Sequence, residues 1–271
     1  MFKQRLISGI VLVILALIFI IHGGYLLLAV LGIISLIGMF ELYRILKIEK
    51  SAPGIIGYIA AVVFYLNLAL NFIPDIMLFI MAFLIICMCC MVFTYPKFTP
   101  AQIMGAFFGV FYVAVMLSCI YLTRELPGGT YLVWLIFLCS WGCDTCAYCA
   151  GMLFGKHKVT PKLSPKKSLE GYIGGVVGAF LLTIIYGFLF KDGMGADAAY
   201  IMLMAGICAA GAVLSTIGGL AASAVKRNYG IKDYGKLIPG HGGILDRFDS
   251  VIFTAPVIYF LSLYLFPLVT I

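Results

Sequence analysis

An all-α, polytopic membrane bundle is the fold class this sequence predicts, and three observations predict it. Apolar residues make up 64% of the 271-residue chain and charged residues only 11%, where a soluble domain carries about 25% charge. Mean hydropathy is +1.15. Apolar runs long enough to cross a hydrocarbon core, about 20 residues each, follow one another along the whole chain. There is too little polar surface to cover a water-soluble globule of this size.

By length and hydropathy, nine spans are expected: 6–22, 25–45, 53–73, 75–95, 101–123, 129–154, 171–190, 198–225 and 244–269. The first is short, and only His22-Gly23-Gly24 joins it to the second, so the two read as a tight helical hairpin. Residues 1–22 have the basic start and apolar stretch of a signal peptide. No polar segment follows a small-residue cleavage site, so a retained first span is expected. Cys143, Cys146 and Cys149 have a metal-like spacing, but steps of three on a helix drift about 60° each. Those thiols should fan apart and serve as packing residues.

Orientation follows from Lys and Arg. With the N-terminus inside, inner segments hold 16 basic residues and outer ones only two, Arg124 and Lys191. This is a strong positive-inside signal, and it places the C-terminus outside. The net charge of +7 therefore reports topology, anionic headgroups or a phosphate-rich substrate rather than nucleic acid. The expected location is the cell membrane, multi-pass. Gly171, Gly174, Gly175 and Gly178 form overlapping small-xxx-small patterns, which let helices approach closely in lipid. Packing within the bundle accounts for them, and a homodimer seam is the alternative.

Polar chemistry concentrates in the inner segments. Asp144 lies inside the sixth span, where a carboxylate is costly and usually faces a partner, ion or water-filled cavity. Asp246 and Asp249 open the ninth span three residues apart, on one helix face that Ser250 extends. Paired carboxylates at a membrane boundary suit Mg²⁺, although a solvated helix start would also favour acids there. Just before them runs Pro239-Gly240-His241-Gly242-Gly243. Its glycines would let backbone N–H groups approach an anion at a helix N-terminus. Upstream, Ser223, Lys226 and Arg227 recur at helical spacing, and Lys232-Asp233 follows. In the other inner loop, Ser164-Pro165 reads as a helix start, Ser as cap, beside Lys166, Lys167 and Glu170. Glu41 and Glu49 read as unremarkable acids flanking the inner end of the second span.

The stretch from Ser223 to Asp249 closely resembles the signature of phosphatidate cytidylyltransferases (CDP-diacylglycerol synthases). It carries S-x-x-K-R, K-D, P-G-H-G-G and D-R-x-D in order and spacing. Asp144-Thr145, Ala147-Tyr148, Gly151, Phe154-Gly155-Lys156, Ser164-Pro165, Lys167 and Glu170-Gly171 are also similar to that family. The likeness is specific over about 144–250, and the first five spans match only in hydropathy and length. It implies transfer of CMP from CTP to phosphatidate in phospholipid biosynthesis, giving CDP-diacylglycerol and pyrophosphate. It also implies Mg²⁺, with room for a monovalent cation such as K⁺. Asp246 and Asp249 would hold metal, with Asp144 or Asp233 as further ligands. Lys226, Arg227, Lys232 and Arg247 would grip phosphates, with His241 as a further catalytic candidate. Ser164, Lys167, Glu170, Ser223 and the amides of Gly240, Gly242 and Gly243 would contact substrate.

On this reading the chain is one integral membrane domain, 1–271. Residues 1–125 are N-terminal helices, and 126–271 form the catalytic part with cytoplasmic loops 155–170 and 226–243. Two rivals are the same chemistry on another lipid phosphate, such as an archaeal ether lipid, and an anion transporter. A transporter should show paired repeats and a polar path to both faces, and the outer segments here are nearly featureless.

Overall fold

The computed structural model describes residues 2–161, 163–164, 167–238, 240 and 242–266, with side chains from residue 9 onward. Among these residues the fold is helical. The long helices are α1 (Phe2–His22), α2 (Gly24–Ile45), α3 (Ala52–Leu70), α4 (Ile76–Thr94), α5 (Pro100–Glu125), α6 (Gly129–Phe154), α7 (Leu169–Leu189), α8 (Ala198–Asn228) and α9 (Leu245–Leu265). From α2 onward, all eight are long and apolar enough to cross a membrane, and α1 adds an apolar stretch over Gly9–His22. The chain is a multi-pass membrane protein built as an all-α bundle.

Local chemistry sets the helix ends. Between α1 and α2, Gly23 has φ +66° and Gly24 φ +55°, in the left-handed region that costs glycine little. Two acids act as caps: Asp75 accepts the Met77 amide and Asp197 the Tyr200 amide, the latter at 2.7 Å. Thr99 and Gln102 form a reciprocal capping box ahead of α5, with Pro100 in its first turn. At the end of α8, Gly230 has φ +66°. The Ile231 amide reaches Lys226 O and the Gly230 amide Arg227 O, which is a Schellman closure.

Two compact units emerge: Met1–Tyr121 with Asp233–Arg247, and Leu122–Lys232 with Phe248–Ile271. In the first, Tyr43 is fully buried and donates its hydroxyl to Ala106 O at 2.6 Å. Its ring lies where a Cβ on Gly57 or Gly109 would stand. Tyr65 donates to Ala114 O at 3.2 Å and pairs with the Ser35 hydroxyl at 2.8 Å. Ala114 belongs to a π-helical stretch, Val110–Val115, where carbonyls lose their ordinary α-helical partners.

In the second unit, α7 lies against α6 along its glycine face. A Cβ on Gly174 would overlap Ala150 Cβ, and one on Gly178 would overlap Cys146. One on Gly175 would meet Cys143 Sγ at 2.9 Å. The small-residue pattern is therefore used within the chain. Cys143 is buried, Cys146 half-buried and Cys149 exposed, so the three thiols fan apart. A second π-helical stretch, Leu138–Gly142, lies just before Asp144.

Candidate active site

The loop joining α6 to α7 is closed by its own residues. The Leu169 amide donates to His157 O at 2.8 Å, and Val159 to Lys167 O at 3.4 Å. Glu170 turns back to accept the Lys156 amide at 3.0 Å and the His157 amide at 3.2 Å, with His157 Nδ1 at 2.6 Å. Two expectations change here. The cap of α7 is Ser168, which accepts the Gly171 amide at 3.2 Å, and not Ser164. The strand-like pairing of 157–159 with 167–169 means the chain cannot turn helical until after Ser168, and Ser164 O instead accepts the Lys167 amide. Glu170, expected at the substrate, is committed to this closure.

The closure delivers Lys167 to α8. Its Nζ lies 3.2 Å from where a Cβ on Gly219 would stand. Ser223 donates to Gly219 O at 2.8 Å. Gly219, Ser223 and Lys226 recur at i, i+4 and i+7, which is one helix face. From α9, half-buried Asp249 feels the charges of Lys226, Asp144 and Lys167. Ser250 Oγ donates to Asp144 Oδ2 at 3.3 Å. This unit thus gathers two carboxylates and a hydroxyl beside two lysines. Arg227 lies at the surface and donates from Nη1 to Ile231 O at 3.1 Å, pinning the turn after α8. Lys232 is exposed.

In the other unit, the glycine turn is held from within. Asp246 is 8% exposed. Its Oδ2 accepts the Tyr234 amide at 2.7 Å and the Gly243 amide at 2.9 Å. Glu41, 3% exposed, accepts the Ile244 amide at 3.0 Å and the Leu245 amide at 2.9 Å. Arg44 donates from Nη2 to Tyr234 O at 2.5 Å. Of the glycine amides expected to contact substrate, that of Gly243 is therefore engaged by a protein carboxylate, as are the neighbouring amides of Ile244 and Leu245. Gly240 and Gly242 have φ of +77° and +86°, so the turn needs glycine there for its backbone path. Asp233 and Gly240 are exposed, Gly242 and Arg247 half-buried. His241 lies outside the described residues.

Sequence reasoning missed Glu41. The available signal was its membrane-depth position near the inner end of α2, the same feature that drew attention to Asp144. At the inner end of the second span, Glu41 reads in sequence as an unremarkable flanking acid.

Among the described residues, no group of three or more His, Cys, Asp or Glu side chains gathers as a metal cage. An oxygen set of two carboxylates and a hydroxyl still fits Mg²⁺. That ion is usually held by one or two carboxylates, with water and substrate phosphates filling the other positions.

Comparison with known proteins identifies the family. The sequence model of the cytidylyltransferase family matches residues 3–265, reaching well beyond 144–250 into the first five helices. A phosphatidate cytidylyltransferase of Bacillus subtilis is 32% identical over 269 residues, covering 96% of this chain and 97% of that protein. The Staphylococcus haemolyticus protein of the same name is 31% identical over 259 residues, 94% of this chain and 97% of its own. The Thermotoga maritima one is 41% identical over 125 residues, 46% of each chain. With the family model spanning nearly every residue and relatives above 30% identity matching end to end, the chain belongs to the cytidylyltransferase family.

Proposed function

We propose that this chain is a phosphatidate cytidylyltransferase, which transfers CMP from CTP to the phosphate of phosphatidate and releases pyrophosphate. Beyond family membership, one observation carries the reading. Asp144, Asp249 and Ser250 meet Lys226 and Lys167 within one unit, as a reaction between two anionic substrates requires.

The lipid phosphate is already a nucleophile. One of its oxygens forms a bond to the α-phosphorus of CTP, and the bond from that phosphorus to the α–β bridging oxygen breaks. Pyrophosphate leaves with the electron pair. No covalent enzyme intermediate is needed, because the attacking group needs little activation by a base. Lys226 and Lys167 offset the repulsion between the two anions, and the Ser250 hydroxyl holds the Asp144 carboxylate in place. Mg²⁺, when bound, would supply charge neutralisation on the phosphates, with Asp144 and Asp249 as its protein ligands. Asp246 spends its Oδ2 on the turn, so Asp144 and Asp249 are the proposed pair of metal ligands.

The active site faces the cytoplasm, with the N-terminus inside, in keeping with the distribution of basic residues and with CTP as a soluble substrate. The test is pyrophosphate release by the purified protein given CTP, Mg²⁺ and phosphatidate, each omitted in turn. Release must depend on all three, and release without phosphatidate would reject the reading.

A further inference from the structure

We infer that Glu41 is a positioning residue for the transfer reaction, holding the glycine turn and the first turn of α9 in their working geometry. This rests on the proposed function above. Glu41 is separated from its two amide partners by 203 and 204 residues in sequence. It caps the start of α9 in place of a local Ser, Thr or Asp. The donors it takes, Ile244 N and Leu245 N, are among those a helix start leaves unpaired. A full negative charge there also interacts favourably with the positive end of the helix.

Three further observations centre the turn on this carboxylate. A Cβ on Gly243 would overlap both Glu41 carboxylate oxygens, and one on Gly235 would overlap Oε1. Two glycines of the segment are thus small because Glu41 stands against them. Arg44, three residues along α2, holds Tyr234 O, while Asp246 holds Tyr234 N. The peptide groups of Tyr234 are therefore fixed on both sides. The rest of the segment is open, with Asp233, Lys236, Leu237 and Gly240 exposed. The buried side is saturated by the protein's own carboxylates, which leaves the exposed side to present groups outward.

A neutral acceptor of the same shape should fail. Glu41→Gln puts an NH₂ where one of the two amides needs an oxygen, and it removes the charge at the helix start. The turn would then shift, and misplacement of about 1 Å can cost about 100-fold in rate. Lys226 and Lys167 are unaltered in this variant, so CTP should still bind.

The test uses the full chain in nanodiscs, as wild type, Glu41→Gln, Gly235→Ala and the double variant. It measures kcat, KM for CTP, and hydrogen exchange across 234–245. Glu41→Gln is expected to lower kcat by about tenfold or more with KM for CTP within about threefold. Exchange should quicken in 234–245 and stay unchanged in the other helices. Gly235→Ala should reproduce this, and the double variant should be no slower than the worse single one, because both break one contact. A wild-type kcat with retained protection at 244–245 overturns the inference. So does faster exchange across all helices, which would assign Glu41 to general folding. An inactive wild type would instead reject the proposed function, and the exchange arm would still decide whether Glu41 holds the turn.

Discussion

Ser250 Oγ donates to Asp144 Oδ2 at 3.3 Å, joining a residue of α9 to one of α6 across 106 positions of sequence. Asp249, the neighbour of Ser250, lies within the field of the same Asp144 and of Lys226. Two carboxylates would repel each other here without nearby positive charge, and the lysines provide it. Asp144→Asn and Asp249→Asn should each keep shape, insert normally and lose about 100-fold or more in rate, with residual activity needing more Mg²⁺. Ser250→Ala should cost less, about tenfold or below. Initial rates across a Mg²⁺ titration check this, and an unshifted titration would remove that carboxylate from the metal site.

Asp246 should behave differently. Asp246→Ala leaves the buried Tyr234 and Gly243 amides without their acceptor, at about 1–3 kcal/mol for each group. The protein should melt at lower temperature in detergent, while its residual activity keeps the wild-type Mg²⁺ dependence. Asp246→Asn retains one oxygen and should be milder. Thermal unfolding beside the Mg²⁺ titration separates the two roles.

Gly178→Leu drives a side chain into Cys146 where α7 meets α6. Overpacking at such a contact costs about 1–3 kcal/mol, and here it also disturbs the helix that carries Asp144. Reduced thermal stability with proportionate loss of activity is expected. An unchanged melting point would show that α6 and α7 do not approach closely.

Topology is open to reporter fusions. Fusions after Lys167 and Lys236 should report the cytoplasm and one after Lys191 the exterior. Lys167 and Lys236 on opposite faces would rule out both the proposed orientation and the cytoplasmic site.

Direct transfer predicts no exchange of labelled pyrophosphate into CTP in lipid-free enzyme until phosphatidate or CDP-diacylglycerol is added. Robust exchange without lipid, abolished in His241→Ala, would show a covalent CMP-enzyme and replace the direct mechanism.

The sequence by itself determined the solvent, the helices and the chemistry class. Hydropathy sets span length because lipid leaves no partner for an unpaired backbone group, so the helix positions followed from composition along the chain. The D-R-x-D and S-x-x-K-R elements were legible because their spacing is short-range and tied to one helix each. Only the tertiary structure decided what each carboxylate touches. Asp246 and Asp249 are equivalent by spacing, yet one serves the glycine turn and the other lies with Asp144 and the lysines. Glu41 and Ser168 could not be assigned from local pattern. Glu41 finds its amides some 200 residues away, and Ser168 becomes a cap only because the strand-like pairing before it delays the helix. Hydrogen-bond partners are fixed by which backbone donors folding leaves unpaired nearby, and spacing along a chain carries no record of that.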